Sequence, residues 1–221
     1  MASSGKKQLI NIVADGVAIE GMLELPQKTS GMVLFAHGSG SSRLSPRNNY
    51  VASVLRDAGL GTLLLDLLTA GEDQTYETRF DISLLTQRLE VALMWMRQPD
   101  GELAGLPVGL FGASTGAAAA LRVAARQPQA VQAVVSRGGR PDMAGADVLA
   151  RVKAPTLLLV GGLDDVVIEL NKAAYERMQC ERQLRIVPDA THLFEEPGAL
   201  ESVAQMAADW FLFHLKDGPQ A

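Results

Sequence analysis

The chain has 221 residues, 48% hydrophobic and 20% charged, with a formal net charge of −5 and one cysteine, Cys180. One well-filled domain over 1–221 can bury roughly 70% of its unfolded surface, so no metal or disulfide is needed to hold it together. The negative balance argues against nucleic acid or an anionic membrane as partner. No run approaches the roughly 18 apolar residues of a membrane span, and no apolar core follows the MASSGKK start, so the expected setting is the cytosol.

Residues 8–14 and 17–25 read as two strands joined by Asp15-Gly16, a strong hairpin signal. The apolar run GMVLFA reads as a buried strand and ends in a glycine-rich loop, HGSG. A helix is expected over 46–58, stopping at Gly59, and GTLLLDLL then supplies another buried strand. Beyond a polar loop, 79–97 carries Ile82, Leu85, Leu89, Leu93 and Met96 on one helical face. LPVGLFG follows as a strand, 115–127 as a helix and AVQAVVS as a strand. A short helix near 145–151 precedes the strand APTLLLVGG. A helix over 167–179, the strand QLRIVPD and a helix over 197–216 close the pattern. Val-, Leu- and Ile-rich strands separated by helices need crossover connections. The fold class is therefore α/β: a mostly parallel sheet with an N-terminal antiparallel hairpin and helices on both faces. In such sheets ligands sit at the carboxyl ends of the strands, so the loops after strands should carry the chemistry.

Three of those loops carry suitable side chains. Gly112-Ala113-Ser114-Thr115-Gly116 lies between a strand and a helix, where G-x-S-x-G forms a nucleophile elbow with the serine on a strained turn. A serine hydroxyl needs a histidine to take its proton, and that histidine needs a carboxylate to orient it. Asp164 and Asp165 both follow the strand ending in Gly161-Gly162. Asp164 is preferred for the orienting role, and Asp165 suits a helix cap better. His192 alone of the three histidines occupies a loop after both Ser114 and Asp164. His37 reads as support for the glycine loop and His214 as a packing residue in the last helix.

Attack on an ester carbonyl creates an alkoxide that needs two fixed N–H donors. The backbone N–H of Thr115 should be one, and that of Ser39 the other, with Gly40 as the alternative. The HGSGSSR stretch lacks both nucleotide-loop patterns, so phosphate cradling is not expected there. Arg137 and Arg140 in SRGGRPD, and Gly40, are candidate substrate contacts; loop arginines tethered to acidic neighbours are the alternative, and Arg79 takes that structural reading. Asp, Glu and His do not cluster at ligand spacing, so no metal and no cofactor is expected. The segment from 137 to 155 is too short for more than a minimal lid. An open site for small or short-chain esters follows, with thioesters and lactones as alternatives on the same machinery. A non-catalytic interaction domain on the same scaffold is the rival of a different class.

HGSG, GASTG, GGLDD and ATHLF, in that order over nearly the whole chain, resemble the α/β-hydrolase superfamily and its small dienelactone-hydrolase-like branch. The stretches SRGGRPD and THLFEEPGALE also look like hydrolase domains found fused to phosphoribosyltransferase domains. The resemblance implies the α/β-hydrolase fold, the roles given above for Ser114, Asp164, His192, Thr115 and Ser39, and carboxylic ester hydrolysis. Dienelactone hydrolases proper carry cysteine at the elbow where this chain has Ser114, which puts cleavage of a dienelactone itself in doubt.

Overall fold

The computed structural model describes residues 5–215. The first four residues of the chain start, and Lys216 at the end of the expected last helix, lie outside that span. Strands β1 (Lys6–Ala14) and β2 (Val17–Leu25) form the hairpin, in register from Lys6 opposite Leu25 to Ala14 opposite Val17. Asp15 and Gly16 both have positive φ, 51° and 77°, as the tight turn that matches strand twist demands. Then come β3 (Met32–Ala36), α1 (Pro46–Asp57), β4 (Gly61–Leu65), α2 (Tyr76–Arg79), α3 (Ile82–Met96), β5 (Val108–Ala113) and α4 (Thr115–Arg126). The chain continues through β6 (Ala133–Arg137), α5 (Ala146–Leu149), β7 (Thr156–Gly161), α6 (Asp165–Arg177), β8 (Arg182–Val187) and α7 (Ala199–His214).

The eight strands form one sheet in the order β1-β2-β4-β3-β5-β6-β7-β8; β2 runs antiparallel to β1 and β4, and every pair from β4 through β8 is parallel. This is the architecture expected of an α/β hydrolase. The five residues of each of β3 and β4 are fully buried, which explains their continuous apolar runs: helices cover both faces. α3, α4 and buried residues of α5 and α6 pack on one face around Leu34, Leu110 and Val134, while α1 and α7 cover Phe35, Phe111 and Val135 on the other. The run Ala117–Ala120 is entirely buried, so the alanines let α4 lie close against the sheet.

Helix boundaries shift by a residue or three where caps decide them. α3 starts at Ile82 because Asp81 Oδ1 accepts the Ser83 and Leu84 N–H groups, both at 3.0 Å. The polar loop before it holds one 3₁₀ turn, Glu72–Gln74, and the single-turn α2. Between β6 and β7 the chain forms one 3₁₀ turn and the four-residue α5, so no long helix crosses above the strand ends there. β3 is the point where the strand order reverses: the chain moves to β4 on one side of it and then returns to β5 on the other. In open parallel sheets ligands bind at the carboxyl ends of the strands beside such a point, which here carry the glycine loop after β3 and the serine turn after β5.

Candidate active site

Ser114 joins β5 to α4 with φ 50° and ψ −120°, a conformation that costs an L-residue roughly 1–3 kcal/mol. Three backbone hydrogen bonds hold it there. The Ser114 N–H donates to Arg137 O at 3.2 Å, and Ser114 O accepts from Ala117 and Arg140 N–H, each at 3.1 Å. The side chain stays half-buried at the N-terminus of α4, whose aligned peptide dipoles favour negative charge. A Cβ at position 116 would collide with the Ala36 and His37 carbonyl oxygens, so glycine there lets the helix start beside the end of β3.

His192 Nδ1 lies 2.6 Å from Asp164 Oδ2, and the carboxylate is the more buried partner, 16% exposed against 39% for the imidazole. With Nδ1–H donating to the carboxylate, Nε2 is left as the basic nitrogen. The structure thus separates the two aspartates. Asp164 occupies the N-cap position of α6 but makes no side-chain cap bond, which leaves its carboxylate for His192, while Asp165 is exposed in the first helical turn.

The His192 loop is fixed from several sides. Asp189 and Phe194 bracket it with positive φ, 56° and 57°; Phe194 is buried against the α7 layer; Glu196 Oε2 accepts the Thr191 N–H at 3.0 Å. Any Cβ at position 161 would strike the Ala190 and Thr191 carbonyl oxygens, so Gly161 lets this loop rest on the exit of β7. The imidazole lies over Gly138, where a Cβ would sit 3.4 Å from its Cε1. Gly138 directly follows Arg137, whose carbonyl holds the Ser114 amide, so serine and histidine flank the same two residues. Among the described residues no hydrogen bond joins the Ser114 hydroxyl to His192. Such contacts commonly tighten only when substrate is bound.

The glycine loop has the support expected of His37. This buried imidazole donates from Nδ1 to Gly38 O and accepts the Leu67 N–H at Nε2, both at 2.9 Å, a pair that requires the neutral ring. Burial pushes its pKa below the usual histidine value, against the opposing Gly38 hydrogen bond and the Asp66 and Asp73 charges. One feature was not legible in the sequence. The Ser39 N–H donates to Thr115 Oγ1 at 2.9 Å, with Thr115 only 1% exposed, so the side chain after Ser114 ties the glycine loop to the elbow. The only sequence signal was a hydroxyl at that position.

The two loop arginines differ. Arg140 is gripped by Asp142 through two hydrogen bonds of 2.9 and 2.7 Å, the tethered arrangement. Arg137 is 7% exposed, and its Nε and Nη1 have no hydrogen-bond partner. Arg79 binds Asp73 as a structural tether, yet its Nη1 lies 3.8 Å from where a Cβ on Gly40 would be, at the edge of the glycine loop. Cys180 sits at the other end of the sheet, its thiol 3.9 Å from the Thr156 hydroxyl at the start of β7, and burial raises its pKa. It has no part in the serine site. No group of three or more His, Cys, Asp or Glu side chains able to hold a metal occurs among the described residues, and no helix there is long and apolar enough to cross a membrane.

Comparison with known proteins agrees with this fold. The model of the family described as "Dienelactone hydrolase family" matches residues 69–212. The crystal structure of a dienelactone hydrolase from Anabaena variabilis is 52% identical, with a TM-score of 0.92 over 97% of this chain and 100% of that one. Est1E from Butyrivibrio proteoclasticus shares the fold at 15% identity, with a TM-score of 0.80 over 93% of this chain and 98% of its own. Two curated proteins, from two strains of Mycobacterium tuberculosis and provisionally named phosphoribosyl transferases, are 57% identical over 207 residues. That match covers 93% of this chain but 46% of theirs, so the chain spans about half the length of these relatives.

Proposed function

Because this chain belongs to the dienelactone hydrolase family, we propose that it is a serine hydrolase of small carboxylic esters working through Ser114, His192 and Asp164. The observation that supports this most is the 2.6 Å contact of His192 Nδ1 with Asp164 Oδ2, on a loop that shares Arg137 and Gly138 with the strained Ser114 turn. In this reading Ser114 Oγ attacks the ester carbonyl while His192 Nε2 takes its proton and passes it to the leaving alcohol. Water activated by the same nitrogen then releases the acid and frees the serine. Asp164 keeps the imidazole in the Nδ1–H tautomer and steadies its charged form.

The alkoxide would be held by the Thr115 N–H and an amide of the glycine loop. Ser39 N–H has to be shared with, or released from, Thr115 Oγ1 before it serves; Gly40 N–H is the alternative. The short segment between β6 and β7 supports an open site and small acyl groups. The provisional name of the longer relatives supports a second, compatible reading, in which this hydrolase unit works beside a phosphoribosyl-transferring one.

The test is a panel of p-nitrophenyl esters of increasing acyl length, with thioesters and lactones, run on the parent protein and on Ser114→Ala. Loss of a triad nucleophile typically costs on the order of 10⁶ in kcat, so the variant should be inactive against every substrate the parent cleaves. A fluorophosphonate probe should label the parent and Cys180→Ala but not Ser114→Ala. No turnover and no labelling of the parent would defeat the reading and favour a non-catalytic domain.

A further inference from the structure

Among the described residues two arginines are almost completely buried, both with Nε and Nη1 lacking a hydrogen bond, and they differ in whether a carboxylate faces them. Arg88 is ion-paired with Glu72 at 2.8 Å and Asp15 at 3.7 Å. Arg137 has no carboxylate partner, and its Nε and Nη1 are buried without a hydrogen bond. A buried cation normally survives only when paired, because removing it from water is costly. Here the charge that acts most on Arg137 is another cation, Arg47. Burial first, and Arg47 second, lower the Arg137 pKa to about 10, which still leaves the group charged at neutral pH.

The location of this unpaired charge is specific. Arg137 is the last residue of β6 and stands opposite Ala113, the residue before the nucleophile. Side chains alternate along a strand, so Arg137 lies on the Val135 face, the one covered by α1 and α7. Arg47 is in the first turn of α1, whose N-terminal dipole adds positive potential. Arg47 keeps a buried Nε without a partner and reaches the exposed Glu195 on the His192 loop through Nη1, at 2.7 Å. Asn48, beside it on the sheet-facing side of α1, is also buried with its Oδ1 unpartnered. Arg137, on the face that α1 covers, and Arg47, in the first turn of α1, thus each keep a buried nitrogen without a partner at the same sheet end as Ser114 and His192, close enough for the Arg47 charge to act on Arg137, which has no acid of its own.

We propose that Arg137 and Arg47 form a site for a small oxyanion, a carboxylate or phosphate group, beside the Ser114 elbow. The anion would accept from the free nitrogens of both arginines, and Asn48 could turn its amide nitrogen toward it. It has two sources, a free anion or the charged end of the ester being cleaved. In the second case the inference rests on the hydrolase reading above, and in the first it does not.

Two measurements on the full chain separate these sources. In the first, thermal denaturation is followed with rising sodium phosphate or acetate, with sodium chloride keeping ionic strength constant. In the second, kcat/KM is compared for phenyl valerate and monophenyl glutarate, which differ by one terminal carboxylate. Either saturable stabilisation of the parent by the anion or a preference for the glutarate of about tenfold or more is expected. Arg137→Met should abolish that effect and Arg47→Gln weaken it.

Stabilisation without a glutarate preference assigns the site to a free anion, and a preference lost in Arg137→Met assigns it to the substrate. Neither effect in the parent, or effects that persist in Arg137→Met, overturns the proposal. If Arg137→Met does not fold, Arg47→Gln decides, and unchanged effects there overturn it. A parent that cleaves neither ester and takes no fluorophosphonate label defeats the hydrolase reading, while the denaturation series still reads the site.

Discussion

Thr115 shows how one residue can reach two parts of a site, by its backbone and by its side chain. Its backbone N–H stands at the first turn of α4 beside Ser114, while its buried hydroxyl holds the Ser39 amide of the glycine loop. Thr115→Val keeps the shape and deletes the acceptor. With the Ser39 N–H shared between Thr115 Oγ1 and the alkoxide, losing a net contribution of roughly 1 kcal/mol in positioning should lower kcat about fivefold with little change in KM, and Thr115→Ser should restore it; a higher kcat in Thr115→Val would mean instead that the tether must be released. Steady-state kinetics on a short-chain ester checks this, and an equal loss in the serine variant would sink it. The position of Ser114 and Thr115 on a strand-to-helix elbow could be read from G-x-S-x-G, but the hydroxyl tether could not. It spans 76 positions and depends on where β3 ends relative to α4.

Elements matter here through their ends. The loop carrying His192 follows β8, and the carboxylate it binds follows β7; these adjacent strands are in register from Thr156–Arg182 to Gly161–Val187. That pairing brings the Leu163 N–H to Ala190 O at 2.9 Å and lays the histidine loop directly on Gly161. Gly161→Val should therefore push the His192 loop away from Asp164 without touching the serine. The expected result is a fall in kcat of at least about a hundredfold, since small misplacements of catalytic groups are that costly. Retained fluorescence and circular dichroism spectra would show that the sheet survives. Undiminished activity would mean that the loop finds its place without the glycine. The order Ser114, Asp164, His192 was readable from strand exits alone. That Asp164 leaves the α6 cap unmade, and so serves His192, was decided by the path of the loop.

For the whole molecule, acid should act through His37. The folded protein holds this imidazole neutral, with its pKa pushed by burial below the usual histidine value of 6.5, whereas the unfolded chain protonates it near 6.5. Unfolding therefore takes up a proton as pH falls. The stability His37 contributes is complete above about pH 6.5 and is lost as pH drops through the lower folded pKa, at up to about 1.4 kcal/mol per pH unit. His214, also lowered by burial, adds in the same direction. Denaturant melts between pH 8 and 5 should show stability declining toward acid, and His37→Gln should flatten that decline. An equally steep decline in the variant would remove His37 as its cause.

Sequence alone determined the layering and the candidate chemistry, because strand and helix periodicity, the hairpin turn and G-x-S-x-G are local patterns set by neighbouring residues. It could also order serine, aspartate and histidine along the chain, since each follows a strand. Only the tertiary structure decided which aspartate meets His192, that the Ser39 amide is taken up by Thr115, and that Arg140 is neutralised while Arg137 is not. These depend on contacts between residues far apart in the chain. The energy of a buried charge or amide is set by what surrounds it in space, and no local pattern encodes that surrounding.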